Sequence, residues 1–292
     1  MKNTVLGASA AALSLLAALA SGEAPDTASW NRPAPPVRIV GPVHYVGTNE
    51  LAAFLLTTPA GHVLVDGGLP ESAALIEQSI RTLGFDPGDI RILLTTQAHF
   101  DHVGSLAHFE KVSGARVEVM DGDVSLIETG GRTDYLFAGQ ERYRFVPVKV
   151  DRALKDGDTV TLGGLTLTAR KTPGHTPGST TWLTTVEEGG QPYTVVFAAS
   201  TGINPGTRLV DRPSYPGIAE DYARAFTVLE SLTPDVFLGG HTGFFDLEGK
   251  RARMKEGGPN PFVDPAGFRA HVAARKRAFE LQMAKERGSG SR

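Results

Sequence analysis

The chain of 292 residues contains no cysteine. Disulfide staples are excluded, and no thiolate is available as metal ligand, nucleophile or lipid attachment point. An excess of charge of either sign is also missing: 29 basic residues stand against 32 acidic ones, a net charge of −3. The electrostatics therefore give no reason to expect nucleic acid as a partner. The densest basic stretch, Arg275-Lys276-Arg277, falls on a helix-like C-terminal segment and reads as a solvated helix face. No short-period internal repeat is evident. With 41% hydrophobic residues the chain can bury a large core, and one compact catalytic domain is expected.

The N-terminus reads Met1-Lys2, then an Ala/Leu-rich stretch from Val5 to Ala20 that ends in Ala18-Leu19-Ala20. A basic start, an apolar centre and small residues at the end are the layout of a secretory signal peptide, here residues 1–20. A short membrane anchor is the alternative, but the run is a little short of the roughly 20 residues a spanning helix needs. After cleavage the protein is expected in the periplasm or outside the cell, without membrane attachment. A polar, Pro-rich lead follows over residues 21–36, then the domain over 37–287 and a flexible Gly/Ser tail over 288–292.

Strand and helix signals alternate along the domain. Residues 37–46, 51–57 and 62–66 read as strands, the last ending in a glycine pair. In 72–83 the apolar residues Ile76, Ile80 and Leu83 recur at helical spacing before Gly84, and 90–96 is an apolar strand. A helix over 105–112 and a strand over 116–120 repeat the unit. Residues 160–167 alternate around Gly163-Gly164, a hairpin signal. A strand over 193–199, a helix over 218–232, a strand over 235–238 and a helix over 265–286 complete the pattern.

The strand at 90–96 delivers Gln97-Ala98-His99-Phe100-Asp101-His102, two imidazoles and a carboxylate within four residues. Such a mixture of nitrogen and oxygen donors suits a borderline cation such as zinc. Asp101 could alternatively cap the helix that follows. Two further histidines stand in glycine-rich turns, His175 in Pro173-Gly174-His175-Thr176-Pro177-Gly178 and His241 in Gly240-His241-Thr242-Gly243. Asp66, before Gly67-Gly68, reads as a structural carboxylate that organises loops. His44, His62, His108 and His271 read as structural or surface residues.

The order Asp66-Gly67-Gly68, Gln-x-His-x-Asp-His, Pro-Gly-His-Thr-Pro-Gly and Gly-His-Thr-Gly resembles the metallo-β-lactamase superfamily over nearly the whole mature chain. Within it the chain is most similar to the cysteine-free subclass B3 enzymes, in the variant form with Gln at the first motif position. The resemblance implies an α/β fold, the αββα four-layer sandwich of two mixed sheets flanked by helices, with metals at one edge between the sheets. It implies one zinc site from Gln97, His99 and His175 and another from Asp101, His102 and His241. Each offers three protein groups and so leaves room for water, as a catalytic zinc requires.

The family usually has His where this chain has Gln97. A neutral carboxamide oxygen is a weaker zinc donor than imidazole. Losing an imidazole bonded to the metal should cost at least about 1.4 kcal/mol, tenfold in affinity. The Asp101-His102-His241 site is therefore expected to fill first and to be able to work alone. Gln97 stands open between metal ligand and hydrogen-bonding neighbour.

By the same resemblance, Asp101 is the catalytic carboxylate that orients the attacking water, and the reaction is zinc-dependent hydrolysis of the amide of penicillins, cephalosporins and carbapenems, an antibiotic-resistance activity. In the related thioesterases and lactonases the strand equivalent to 193–199 ends in an Asp that bridges two metals. Here it ends in Ser200, which would anchor the substrate's carboxylate or form a turn. An exported lactonase or glyoxalase II-like thioesterase, and a non-catalytic zinc-binding scaffold, remain as alternatives. The expected partner is a small molecule, and the oligomeric state is open.

Overall fold

A computed structural model describes residues 27–289, and its frame is two β-sheets packed face to face. In the seven-stranded sheet, β1 (Val37–Val40), β2 (Val43–Tyr45), β3 (Phe54–Thr58) and β4 (Gly61–Val65) are antiparallel in chain order. β5 (Ile90–Leu94), β6 (Arg116–Met120) and β7 (Arg152–Leu154) continue parallel to β4. The five-stranded sheet has the order β12 (Val236–Gly239), β11 (Gln191–Ala198), β10 (Thr180–Glu188), β9 (Leu165–Lys171), β8 (Thr159–Leu162), antiparallel except for β11 beside β12.

Side-chain alternation along each strand assigns the layers. In the first sheet Phe54, Leu56, Val63, Val65, Ile92 and Leu94 turn inward toward Trp182, Val195 and Phe197 of the second. Phe54 and Phe197 meet edge to face across the gap, ring centres 5.1 Å apart. The intervening Leu55, Leu64 and Leu93 face the other way, under Ile76 and Ile80 of α2 (Ala73–Thr82) and Leu106 and Phe109 of α4 (Leu106–Ser113). Burial on both faces explains why these strands read as continuous apolar runs. The second sheet is covered by α6 (Ile218–Glu230) through Phe226 and Leu229 and by α8 (Pro265–Ser289) through Phe268, Val272 and Phe279. Helix, sheet, sheet and helix form the expected four layers. Among the described residues no helix is long and apolar enough to cross a membrane.

Several local expectations need correction. Residues 37–46 are a hairpin, β1 and β2, because Gly41 turns the chain at φ 50°. The nine-residue β10 was not anticipated: its threonines are buried on both faces near the start, so it lacks an apolar/polar alternation. α7 (Leu247–Glu256) carries a run of charges and buries only Leu247 and Lys250, which leaves no apolar stripe to mark it. Residues 27–30 of the polar lead form α1 (Thr27–Trp30), whose Trp30 is 1% exposed. At the other end the helix continues through Gly288 and Ser289 of the expected tail. The expected signal peptide lies outside the described residues.

Candidate metal centre

The chain leaves the ends of β4, β5, β9, β11 and β12 at one edge of the two sheets, and the loops there carry the candidate residues. This is the crevice at strand ends where open α/β sheets place their sites. Hydrogen bonds lock the two sheets together at that edge: Thr180 N–H to Thr96 O (2.7 Å), Trp182 Nε1–H to Thr95 O (2.9 Å) and Ala52 N–H to Gly240 O (3.0 Å).

Asp101, His102 and His241 converge, each offering a ligand atom within 4.8 Å of the others. Asp101 Oδ2 lies 3.5 Å from His102 Nε2 and 3.6 Å from His241 Nε2. Behind them is Asp66, fully buried and held at φ 61°, a region non-glycine residues enter only under constraint. Its Oδ1 accepts from Thr96 N–H (2.7 Å), and its Oδ2 accepts from Thr96 Oγ1–H (2.7 Å) and His102 Nδ1–H (3.1 Å). The Asp66 bond fixes the tautomer of His102 so that Nε2, buried and without a hydrogen-bond partner, carries the lone pair. Gly240 cannot be larger, because a Cβ there would meet His102 Cε1 at 2.5 Å.

His99 and His175 form the other half. His99 Nδ1 and His175 Nε2 face each other at 3.1 Å, while their outer nitrogens turn toward Asp134 and Gly202. His99 Nε2 sits 3.2 Å from Asp134 Oδ2, and His175 Nδ1–H donates to Gly202 O at 2.6 Å. Asp134 is itself held by the Leu136 and Phe137 N–H groups, both at 2.7 Å. Tyr222 O–H donates to the same Gly202 carbonyl (2.9 Å), and its ring fills the place of a side chain at Gly174, where a Cβ would come within 2.7 Å. Asp123 joins the two ligand loops, accepting from Ala98 N–H (3.0 Å), Thr176 Oγ1–H (2.7 Å) and Gly178 N–H (2.7 Å). Gln97 is 1% exposed, and neither its amide oxygen nor its nitrogen has a hydrogen-bond partner.

At His175, His241 and Asp101 the protonation states suit a cation. Burial, reinforced by His99, pulls His175 down to about 3, and burial with His102 pulls His241 down to about 4, so both are neutral at pH 7. Burial would raise Asp101, but His102, His241 and His99 overcome it and hold the carboxyl below its ordinary value. Burial opposes the charge on His102, yet Asp101 and Asp66 raise it. Three imidazoles turned inward by carboxylate or carbonyl partners, a buried ionised Asp101 and the orphaned carboxamide of Gln97 are the donor set a divalent metal uses.

The centre opens into a cavity of about 500 Å³. His99, Asp101, His175 and His241 reach its wall; His102 and Gln97 stand behind it. Ser200 is also in the wall, where its Oγ accepts from Gly202 N–H at 3.3 Å, so it forms a turn and keeps its O–H to donate.

Sequence reasoning missed three residues here. Asp123 ends a short 3-10 turn (Asp121–Asp123) and Asp134 lies in irregular chain, neither with a spacing relation to the ligand motif. Arg275 was assigned to a solvated helix face, but it lines the cavity. Its neighbour Lys276 does face solvent and pairs with Glu230 at 2.8 Å. A signal existed: Arg275 is three residues after Val272 and four before Phe279, on the stripe that α8 buries. His108, read as a structural or surface residue, is one: its Nε2 lies 2.7 Å from Glu77 Oε1 on α2, at the surface. His44 and His62 pack against Phe85, and His271 lies between Phe237 and Phe244, as structural residues.

A family model described as the metallo-beta-lactamase superfamily matches residues 51–241. The native FEZ-1 metallo-beta-lactamase of Legionella gormanii superposes with TM-score 0.86 at 42% identity, over 88% of this chain and 98% of that one. BJP-1, a subclass B3 metallo-beta-lactamase of Bradyrhizobium japonicum, does so with TM-score 0.83 at 38% identity, over 89% and 97%. The N-acyl homoserine lactonase AttM of Agrobacterium fabrum is 27% identical over 44% of this chain and 57% of its own length. The chain spans about half the length of such curated relatives, 49% and 57% in two cases. The chain belongs to the metallo-beta-lactamase superfamily, with subclass B3 enzymes among its structural neighbours.

Proposed function

We propose that this hydrolase opens the amide bond of β-lactams, the penicillins, cephalosporins and carbapenems, using zinc. Asp101, His102 and His241 would hold one ion, and His99, His175 and Gln97 a second, weaker one. When bound, zinc supplies a water acidified toward neutral pH and a Lewis acid for the carbonyl.

The protein's own groups do the rest. Asp101 accepts a hydrogen bond from the attacking water and so aims it. Its carboxyl is ionised at working pH because three imidazoles surround it. Asp66 and Asp134 keep His102 and His99 in one orientation, so the ligand nitrogens need not reorganise during turnover. Ser200 donates its hydroxyl to the carboxylate of the substrate. The cavity, walled by Phe137, Phe244 and Phe279 as well as by polar groups, limits the water around the reacting amide. Export, expected from the first twenty residues, would place the enzyme where these antibiotics act.

The observation that carries this reading over a lactonase or thioesterase is residue 200. The strand end beside the two imidazole clusters presents a hydroxyl to the cavity, where a metal-bridging carboxylate would be needed for those activities. The lactonase relatives keep that second reading in play. A chromogenic cephalosporin decides between them: turnover lost with a chelator and restored by zinc is expected. Zinc-loaded protein that hydrolyses N-acyl homoserine lactones and no β-lactam would overturn the proposal, and zinc-loaded protein inert to both would favour a non-catalytic scaffold.

A further inference from the structure

Arg275 is a cation on the buried stripe of α8 with no carboxylate partner among the described residues. Its guanidinium lies over the ring of Phe244, 4.9 Å from the centroid, and Phe244 in turn packs on His241 at 5.1 Å. One aromatic ring thus separates it from a metal-centre imidazole, and its charge helps to depress His241. It lines the same cavity as Ser200 and Asp101. The ion pairs among the described residues do not include it, although Lys276, the next residue, has found Glu230. Burial alone acts on its pKa, downward, and no carboxylate answers that loss of solvation. A guanidinium does not give up its proton in a protein, so the charge stays. Holding a partly desolvated, unpaired charge is costly unless an anion enters to pair with it.

We infer that Arg275 is the specificity-determining residue for anionic substrates: it pairs with the carboxylate that penams, cephems and carbapenems carry beside the lactam nitrogen. The inference rests on the β-lactam reading above. The planar fork of the guanidinium matches a carboxylate with two parallel hydrogen bonds. Phe244, beneath the guanidinium at 4.9 Å, restrains the side chain, so less freedom is lost on binding. Ser200 is neutral and supplies one hydrogen bond; of the two cations in the cavity wall, Arg275 and Lys285, Arg275 is the one seated on Phe244 beside His241, and the discrimination between a charged and an uncharged substrate is assigned to it.

The test compares benzylpenicillin with its methyl ester on the zinc-loaded full protein. The parent enzyme is expected to prefer the acid. Arg275→Met, which keeps the stem over Phe244, should raise KM for the acid about 10- to 100-fold, leave kcat and zinc content near parental values, and leave the ester unaffected. Calorimetry with ring-opened benzylpenicillin, a readout independent of turnover, should show the same weakening. Arg275→Lys keeps a charge without the fork and should restore part of the loss on the acid alone; it also serves if the Met variant does not fold. Equal losses on acid and ester, or no loss on either, would overturn the inference while leaving the β-lactam reading intact. A parent enzyme that hydrolyses neither compound would overturn both.

Discussion

Replacing Asp66 by Asn removes one charge and almost no volume, yet it should weaken the metal centre through a proton three bonds from the ligand atom. Asp66 Oδ2 is an acceptor for both Thr96 Oγ1–H and His102 Nδ1–H, at 2.7 and 3.1 Å. With the asparagine oxygen retained by Thr96 N–H, the amide NH2 takes the Oδ2 position. His102 Nδ1 then meets a donor and must become an acceptor, which moves the imidazole proton to Nε2. That nitrogen faces Asp101, and protonating it removes the lone pair a metal needs. Loss of such an outer partner costs about 10- to 100-fold in metal affinity, about 1.4 to 2.7 kcal/mol. Zinc competition against a chromogenic chelator should show this weakening at the Asp101-His102-His241 site and leave the other site unchanged. In metal-free protein the imidazole of His102 should also titrate lower, since Asp66 is one of the groups that raise it. Affinity unchanged at both sites, with His102 titrating as in the parent, would refute the reasoning.

Gln97→His should strengthen the weaker site by at least about tenfold, as read by equilibrium dialysis; unchanged zinc binding would place Gln97 outside the metal's ligand set. Gly174→Ala puts a methyl 2.7 Å from the Tyr222 ring at φ 129° and should cost about 1–3 kcal/mol, with a lowered unfolding midpoint and poorer retention of the second zinc. Metal-free protein should lose stability as the pH falls from 6.5 toward 5. His175, His241 and His271, held at about 3, 4 and 3, stay neutral in the fold but bind protons once unfolded, where they titrate near 6.5. Their contribution is complete above 6.5 and declines by up to about 1.4 kcal/mol per pH unit for each imidazole below it. His102, raised above its ordinary value, acts in the opposite sense and above this window. Denaturant midpoints that stay flat between pH 6.5 and 5 would contradict the buried neutral state of these rings.

Which parts of this site were legible in the sequence follows from how each residue is fixed. The candidate ligands follow strand ends: His175 and His241 stand in glycine-rich turns, while His99, Asp101 and His102 stand at the N-cap and in the first turn of the short helix Phe100–Val103 after β5, so all five announce themselves by chemistry and local context together. Asp66 was placed correctly as an organising carboxylate for the same reason, at the end of β4 before two glycines. Asp134 and Asp123 act on those same imidazoles and loops, but one does so from irregular chain and the other from the end of a single 3-10 turn, and no period relates either to the motif. Their partnership is a product of tertiary packing alone. Arg275 is the instructive error. Counted as a member of a basic run it looks solvated, whereas counted by helical phase it falls between Val272 and Phe279 on the buried side of α8. Charge composition describes what a segment prefers on average; phase decides which single side chain is turned inward. An arginine that phase turns inward, into a cavity beside a metal centre and without a carboxylate partner, is better explained by an anion that arrives from solution than by the fold that pays to keep it there.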